Sequence, residues 1–179
     1  TAATANITCN GIAHGAVQNF ATGGKQNAGM YMFAIDGGTG TGQTSPHTFT
    51  GLTPAAHTVV VTDSLGSTFE LNFTTTEPDA LSAVITNPAN TCPNQGSYAI
   101  SVTVTGGTAD YHYVWGGDAT DVDAASTTAA QIGANDCGNT YSVNVTVTDH
   151  FNCIVTQTPS FEVKDIEAPT FTAPADTTL

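Results

Sequence analysis

The sequence predicts an all-β chain: two tandem immunoglobulin-like β-sandwich domains with a C-terminal extra strand. Three observations predict it: an internal repeat, a period-two alternation of apolar and polar side chains, and turn residues closing each alternating run. The repeat is direct. "TVVVTDSLG" at 58–66 is echoed 86 positions later by "NVTVTDHFN" at 144–152, while "ATGG" ending at Gly24 and Cys9 are matched 83 positions on by "VTGG" ending at Gly107 and by Cys92. Landmarks recurring in one order at nearly one spacing mean two copies of a single unit, predicted over 1–78 and 79–165, with 166–179 left as a linker, donor strand or start of a third repeat.

Taken in chain order, "MYMFAIDGG" places Tyr31, Phe33 and Ile35 on one face of a strand. The Val/Thr strand that follows puts His57 on its inward phase, and "STFELNFT" turns Phe69, Leu71 and Phe73 inward. Pro78, in "TTTEPDALSAV", interrupts the alternation, which resumes at Leu81, so the units are expected to meet near 76–82. In the second copy "SYAISVTVTGG" faces Tyr98, Ile100, Val102 and Val104 inward, and "YHYVWGG" does the same for Tyr111, Tyr113 and Trp115. "YSVNVTVTD" repeats the pattern with Tyr141, Val143, Val145 and Val147. About seven short strands per unit, with aromatics on the third and a Val/Thr strand next to last, favour the sandwich and give Trp115 its central core place. A closed barrel is the competing architecture.

The ends differ. "LSAVIT" precedes Cys92, whereas "TAATANIT" precedes Cys9, so the first unit's opening strand is expected to be truncated. Residues 166–179, beginning "IEAPTFTAP", would supply a spare opening strand with Phe171 inward, its prolines tolerable at a sheet edge. Head-to-tail strand addition between copies is one expectation, and a segment cut from a longer tandem array is the other.

Composition narrows the function classes. Of 179 residues only 9% are charged, with two basic residues, Lys25 and Lys164, against 15 acidic ones, for a formal charge of −13. A nucleic-acid partner is excluded because almost nothing neutralises phosphate, and anionic membrane surfaces are disfavoured for the same reason. No run of 18 apolar residues offers a spanning helix, and the opening residues lack a signal-peptide pattern, as expected of a mature or trimmed chain. Four cysteines in an acidic, Thr-rich β protein, with no CxxC pair, point to an oxidising compartment.

The order "TCNG" (Thr8 to Gly11), "TGG" (Thr22 to Gly24), "GLTPAAHTVVVTDSLGS" and "TTEPDALSAVIT" resembles the repeat of SprB, the large surface adhesin of gliding Bacteroidota, and related tandem Ig-like surface proteins. The resemblance covers roughly 6–86 well and 87–163 more loosely. The first copy departs from it at Ser67, where the family usually carries Cys near the final hairpin and the second copy has Cys153. The likeness implies the fold and a cell-surface life, and no ligand. It also implies O-glycosylation at Asp-Ser/Thr-apolar tripeptides, for which Ser64 and Thr177 are the candidates.

Chemistry-bearing residues are sparse. His14, His47, His57, His112 and His150 are scattered, no serine or cysteine sits in a nucleophile context, and no enzyme is expected. "GDATDVD" offers Asp118, Asp121 and Asp123 in one loop, hard oxygen ligands at a spacing that could wrap calcium, without the glycine and final glutamate of an EF-hand. A second calcium candidate is the pair of junctions, Glu77 with Asp79 and Asp165 with Glu167. The bland reading of each is a solvated turn or linker. Among the cysteines, Cys137 and Cys153 bracket the strand at 141–148, too long for a disulfide's Cα separation of about 6 Å. Strand order then favours Cys92 with Cys137, and Cys9 with Cys153 across the junction or between subunits.

The function expected is an extracellular structural or adhesive protein whose Ig-like repeats form a surface fibre, its partners being copies of itself, adjacent repeats or surface polysaccharide. The alternative is a carbohydrate-binding or accessory module of a secreted multidomain protein. Most aromatics fall on inward phases, with Phe20 the ambiguous one, which weakens the alternative.

Overall fold

The computed structural model describes residues 2–86, 98–120, 129–132 and 138–164, and every element in it is a strand, bridge or turn. Two compact units divide the chain. The first is Thr1–Leu81 with Gly106–Ala109 and His150–Cys153, and the second is Ser82–Thr105, Asp110–Asp149 and Ile154–Leu179.

In the first unit the strands are β1 (Ala2–Ala5), β2 (Gly15–Asn19), β3 (Tyr31–Ile35), β4 (Thr41–Gln43), β5 (His47–Leu52), β6 (Ala56–Thr62) and β7 (Thr68–Thr74). They form one sheet in the order β1-β2-β5 and another in the order β4-β3-β6-β7, all antiparallel. Alternation explains the core: Val17 on β2, Tyr31 and Phe33 on β3, Leu52 on β5 and Val59 on β6 are buried together, with Ile35, Val61 and Phe73 packed at their margins.

The second unit comprises β8 (Ser82–Thr86), β9 (Tyr98–Thr105), β10 (His112–Gly117), β11 (Ala119–Thr120), β12 (Ala129–Ile132), β13 (Thr140–Thr148), β14 (Ile154–Gln157) and β15 (Ser160–Glu162). One sheet runs β11-β12-β9-β8. In the other, β13 pairs with β10 on one side and with both β14 and β15 on the other. Thr158 and Pro159 split that last edge into two pieces, since proline cannot donate to the ladder. Ile100, Val102, Tyr113, Trp115, Val143, Val145 and Val147 make the core, and Ala83 and Ile85 of β8 close it.

Two sequence expectations need correction. The first unit's opening strand is present: β1 pairs with β2 over four residues, Ala2 with Asn19 through Ala5 with Ala16. Ala and Thr have weak strand signals, but a small residue fits a ladder whose partner strand is already held, so β2 has no vacant edge there. Phe69 is on the inward phase of β7 yet 67% exposed, so alternation alone did not bury it. The expected extra strand at 166–179, with Phe171, lies outside the described residues, as does most of the 121–137 segment.

Trp115, the only tryptophan, is 7% exposed in the second core. Its emission is expected to be blue-shifted and resistant to acrylamide quenching, and Trp115→Ala to cost about 3–5 kcal/mol of stability in denaturant unfolding. Full quenching in the folded chain would contradict the packing.

Candidate binding groove

The repeated phrases are brought together at one end of the first unit. Gly23 and Gly24 both adopt positive φ (78° and 63°), which glycine reaches without strain, and they turn the chain out of β2 towards β3. Across from them Asp63 ends the run of β6. Its Oδ2 accepts from Lys25 N at 3.2 Å and its Oδ1 accepts from Leu65 N and Ser67 N, each at 2.9 Å. Ser64 N donates to Lys25 O at 2.8 Å. These bonds hold the β6–β7 turn to the glycine loop, and the Ser67 and Lys25 N–H groups keep the Asp63 carboxyl below its ordinary range. The second copy repeats the backbone part: Gly106 and Gly107 have φ of 71° and 62°, and His150 N donates to Thr108 O at 3.2 Å.

Beside this clamp lies a cavity of about 340 Å³ lined by Asn19, Phe20, Gly24, Tyr31 and Asp63 on one side and by Val59, Val61, Phe69 and Leu71 on the other. Its floor is the core face of β6 and β7. On the neighbouring edge β1 carries only small residues, all of them exposed, with Ala2 opposite Asn19 and Thr4 opposite Val17. In the second unit the opening strand β8 carries Ile85 at such a position, opposite Val102, and Ile85 packs on the core. Phe20, 44% exposed, and Phe69 stand at the mouth.

Asn19 is the anomaly. It is 3% exposed, and neither Oδ1 nor Nδ2 has a hydrogen-bond partner among the described residues. A buried amide without partners costs about 1–3 kcal/mol. Tyr31, by contrast, is satisfied, its hydroxyl donating to Gly23 O at 2.6 Å. No spacing or motif singles out Asn19. The one available signal is its phase, two residues after Val17 on the inward face of β2.

His57 is a structural ion-pair partner. It is 6% exposed, with Nδ1 at 2.7 Å from Asp36 Oδ2 and Nε2 at 2.9 Å from Thr53 O. Both partners are acceptors, so both ring nitrogens carry hydrogen and neither can take a proton from a substrate. The Asp36 hydrogen bond raises the His57 pKa, with Thr53 O adding to it, and the His57 bond lowers that of Asp36.

The remaining candidates are placed as follows. Asp118 Oδ2 accepts from Ser142 N at 2.8 Å while Asp118 N donates to Ser142 O, after Gly117 takes a φ of 73° close against the Ser142 carbonyl. Glu77 Oε2 accepts from Gly11 N at 2.7 Å, and the Asp79 carbonyl accepts from Gly107 N at 2.8 Å. Among the described residues no three His, Cys, Asp or Glu side chains form a metal-binding group. Asp121, Asp123, Asp165 and Glu167 lie outside the described residues. Cys9 and Cys153, both in the first unit, form a disulfide with Cα atoms 5.7 Å apart, within one chain. Cys92 and Cys137 lie outside the described residues. Ser64 is exposed on the clamped turn, and Thr177 lies outside the described residues.

The Asp36–His57 pair sets a pH window. His57, raised above its ordinary 6.5, contributes stability fully below pH 6.5 and loses it as pH rises through the folded value. Asp36, lowered below 3.8, contributes above pH 3.8 and loses it as pH falls through the folded value. Calorimetry of the wild type is therefore expected to show a fall in stability on the alkaline side of 6.5 that His57→Gln, less stable at pH 5.5, does not show. Parallel pH profiles for the two proteins would contradict the pairing.

No protein-family model and no curated protein matches this sequence. Among solved structures, the chain is similar to the fibronectin(III)-like modules of Clostridium thermocellum CbhA at 12% identity, covering 97% of this chain and 100% of that one with a TM-score of 0.37. It is similar to extracellular domains 3–5 of Drosophila OTK at 12% identity, covering 87% of this chain and 57% of that one with a TM-score of 0.33.

Proposed function

We propose that the chain is an extracellular structural or adhesive module, a pair of Ig-like units that serve as part of an extended cell-surface fibre. The observation that carries it is the Cys9–Cys153 disulfide, a covalent tie between residues 144 positions apart in a protein with almost no basic residues. Such bonds form and persist in oxidising compartments and are rare in reducing ones. The internal repeat and the resemblance to tandem surface repeats support a place in an array, where neighbouring units follow along the polypeptide. Because β1 already occupies the edge of β2, tandem connection accounts for a fibre without a strand handed over at that edge. The exposed Phe20 and Phe69 favour a second reading, a module that holds saccharide against aromatic faces.

Two measurements test the proposal. On intact source cells, a membrane-impermeant biotinylation reagent aimed at Lys25 and Lys164 is expected to label the protein as fully as it does after lysis, and labelling only after lysis would refute a surface location. In the isolated chain, Cys153→Ser is expected to lower stability by about 2–5 kcal/mol through the freed unfolded ensemble. An unchanged denaturation midpoint would remove the disulfide as the supporting observation.

A further inference from the structure

We propose that the groove of the first unit, together with the outer edge of β7, is a docking site for an extended peptide strand that inserts a tyrosine-like side chain, apolar along its body and polar at its tip. This does not depend on where the protein resides, and the sheet edge it uses, β7, is not the edge that β1 occupies.

Three independent features meet there. The first is the edge. β7 ends the order β4-β3-β6-β7, so its outer N–H and C=O groups pair with no strand among the described residues, and it runs seven residues without proline. The opening segment reaches this sheet only beyond the strand, where Ile7 N donates to Thr76 O at 2.9 Å. In the second unit the corresponding edge is broken into β14 and β15 at Pro159. Natural edges are guarded by breaks of that kind, and an unguarded one is a template for strand addition.

The second feature is the cavity beside that edge. A strand laid along β7 continues the sheet, so every other side chain falls on the core face next to Phe69 and Leu71. One of them can enter between Phe20 and Phe69. The volume of about 340 Å³ accepts a large aromatic ring, and Val61 and Leu71 give it apolar walls.

The third is Asn19, whose amide is unpartnered and buried at the inner wall. It asks for a group that both donates and accepts, which a phenol hydroxyl does and a phenylalanine ring does not. Charge selects further. With a formal −13 on the chain and Glu70 on β7 itself, the incoming segment is neutral or basic.

The test is a titration of the full chain, labelled with nitrogen-15, by an acetylated and amidated peptide in which threonine and valine alternate around a central tyrosine, with a terminal lysine. Saturable shifts are expected in the backbone amides of 68–74 and in the Asn19 side-chain amide. The matched phenylalanine peptide is expected to bind about five- to tenfold more weakly, and a peptide N-methylated along one edge not at all. Asn19→Leu, which replaces an orphaned amide by an apolar group of similar size, should stay folded with a raised melting temperature and bind the two peptides equally. The proposal is overturned if no peptide binds, if the shifts avoid β7, or if wild type binds tyrosine and phenylalanine peptides alike. It is also overturned if a neutral glucan oligosaccharide moves these resonances while the peptides do not, which would make the groove a saccharide site.

Discussion

The first unit depends on the Asp63 carboxylate, which gathers the N–H groups of Lys25, Leu65 and Ser67 and so ties the turn between β6 and β7 to the glycine loop after β2. The glycine loop is the crossover from β2 in one sheet to β3 in the other, and the turn belongs to the sheet of β3. Joining them fixes how far apart the sheets stand at that end, and the Gly24 backbone must come close for it: a Cβ there would sit 2.9 Å from Asp63 Oδ2. A side chain at position 24 would therefore open the clamp and also meet the left-handed φ that glycine tolerates. The double occurrence of "TGG" with "VTD" is explained by this coupling, because neither half of the clamp is useful without the other. In the second copy the His150 to Thr108 bond keeps the same pairing of positions.

With the sheets so spaced, what fills the gap is decided by the strands that face inward from both sides. β13 supplies Val143, Val145 and Val147 to the second core, and β8 closes it with Ala83 and Ile85. β6 gives the first core Val59 fully and Val61 in part, while β1 has only Ala2 and Thr4 to offer. The two copies thus share a frame and differ both in the side chains of their opening strands and in how their sheet edges are built. In the first copy Phe69 is left largely in water and Asn19 is buried without hydrogen-bond partners among the described residues, and a buried unpaired amide is a cost that calls for an explanation.

Much of this was legible in the sequence, for identifiable reasons. A buried face of one sheet writes itself as alternation, so Tyr31, Phe33, Ile100, Tyr113, Trp115 and Val143 could be placed by phase alone. His57 followed from the same phase. Phe69 did not, because alternation states which way a side chain points and not whether anything lies across from it. The opening strand β1 was missed since Ala and Thr give no apolar beat, and its pairing is dictated by β2 rather than by its own residues. Asn19 was illegible for a related reason: an inward asparagine reads as a satisfied core polar group until the surrounding partners are known. Asp118 and Glu77 were candidates as carboxylates near turns, and the structure adds what sequence could not show, that each accepts a backbone N–H.

The contrast between the two sheet edges carries the argument furthest. A repeat copied in tandem begins with identical edges, and each exposed edge is an invitation to uncontrolled pairing. In the second copy Pro159 closes the invitation at the middle of the strand, and Phe161 beyond it stacks on Tyr141 at 6.2 Å between ring centroids. In the first copy the edge is unbroken and the groove opens beside it. Either feature alone would be a tolerable imperfection. Occurring on the same strand of the same copy, beside an amide with nothing to bond among the described residues, they are the observations on which the proposed strand-docking surface rests.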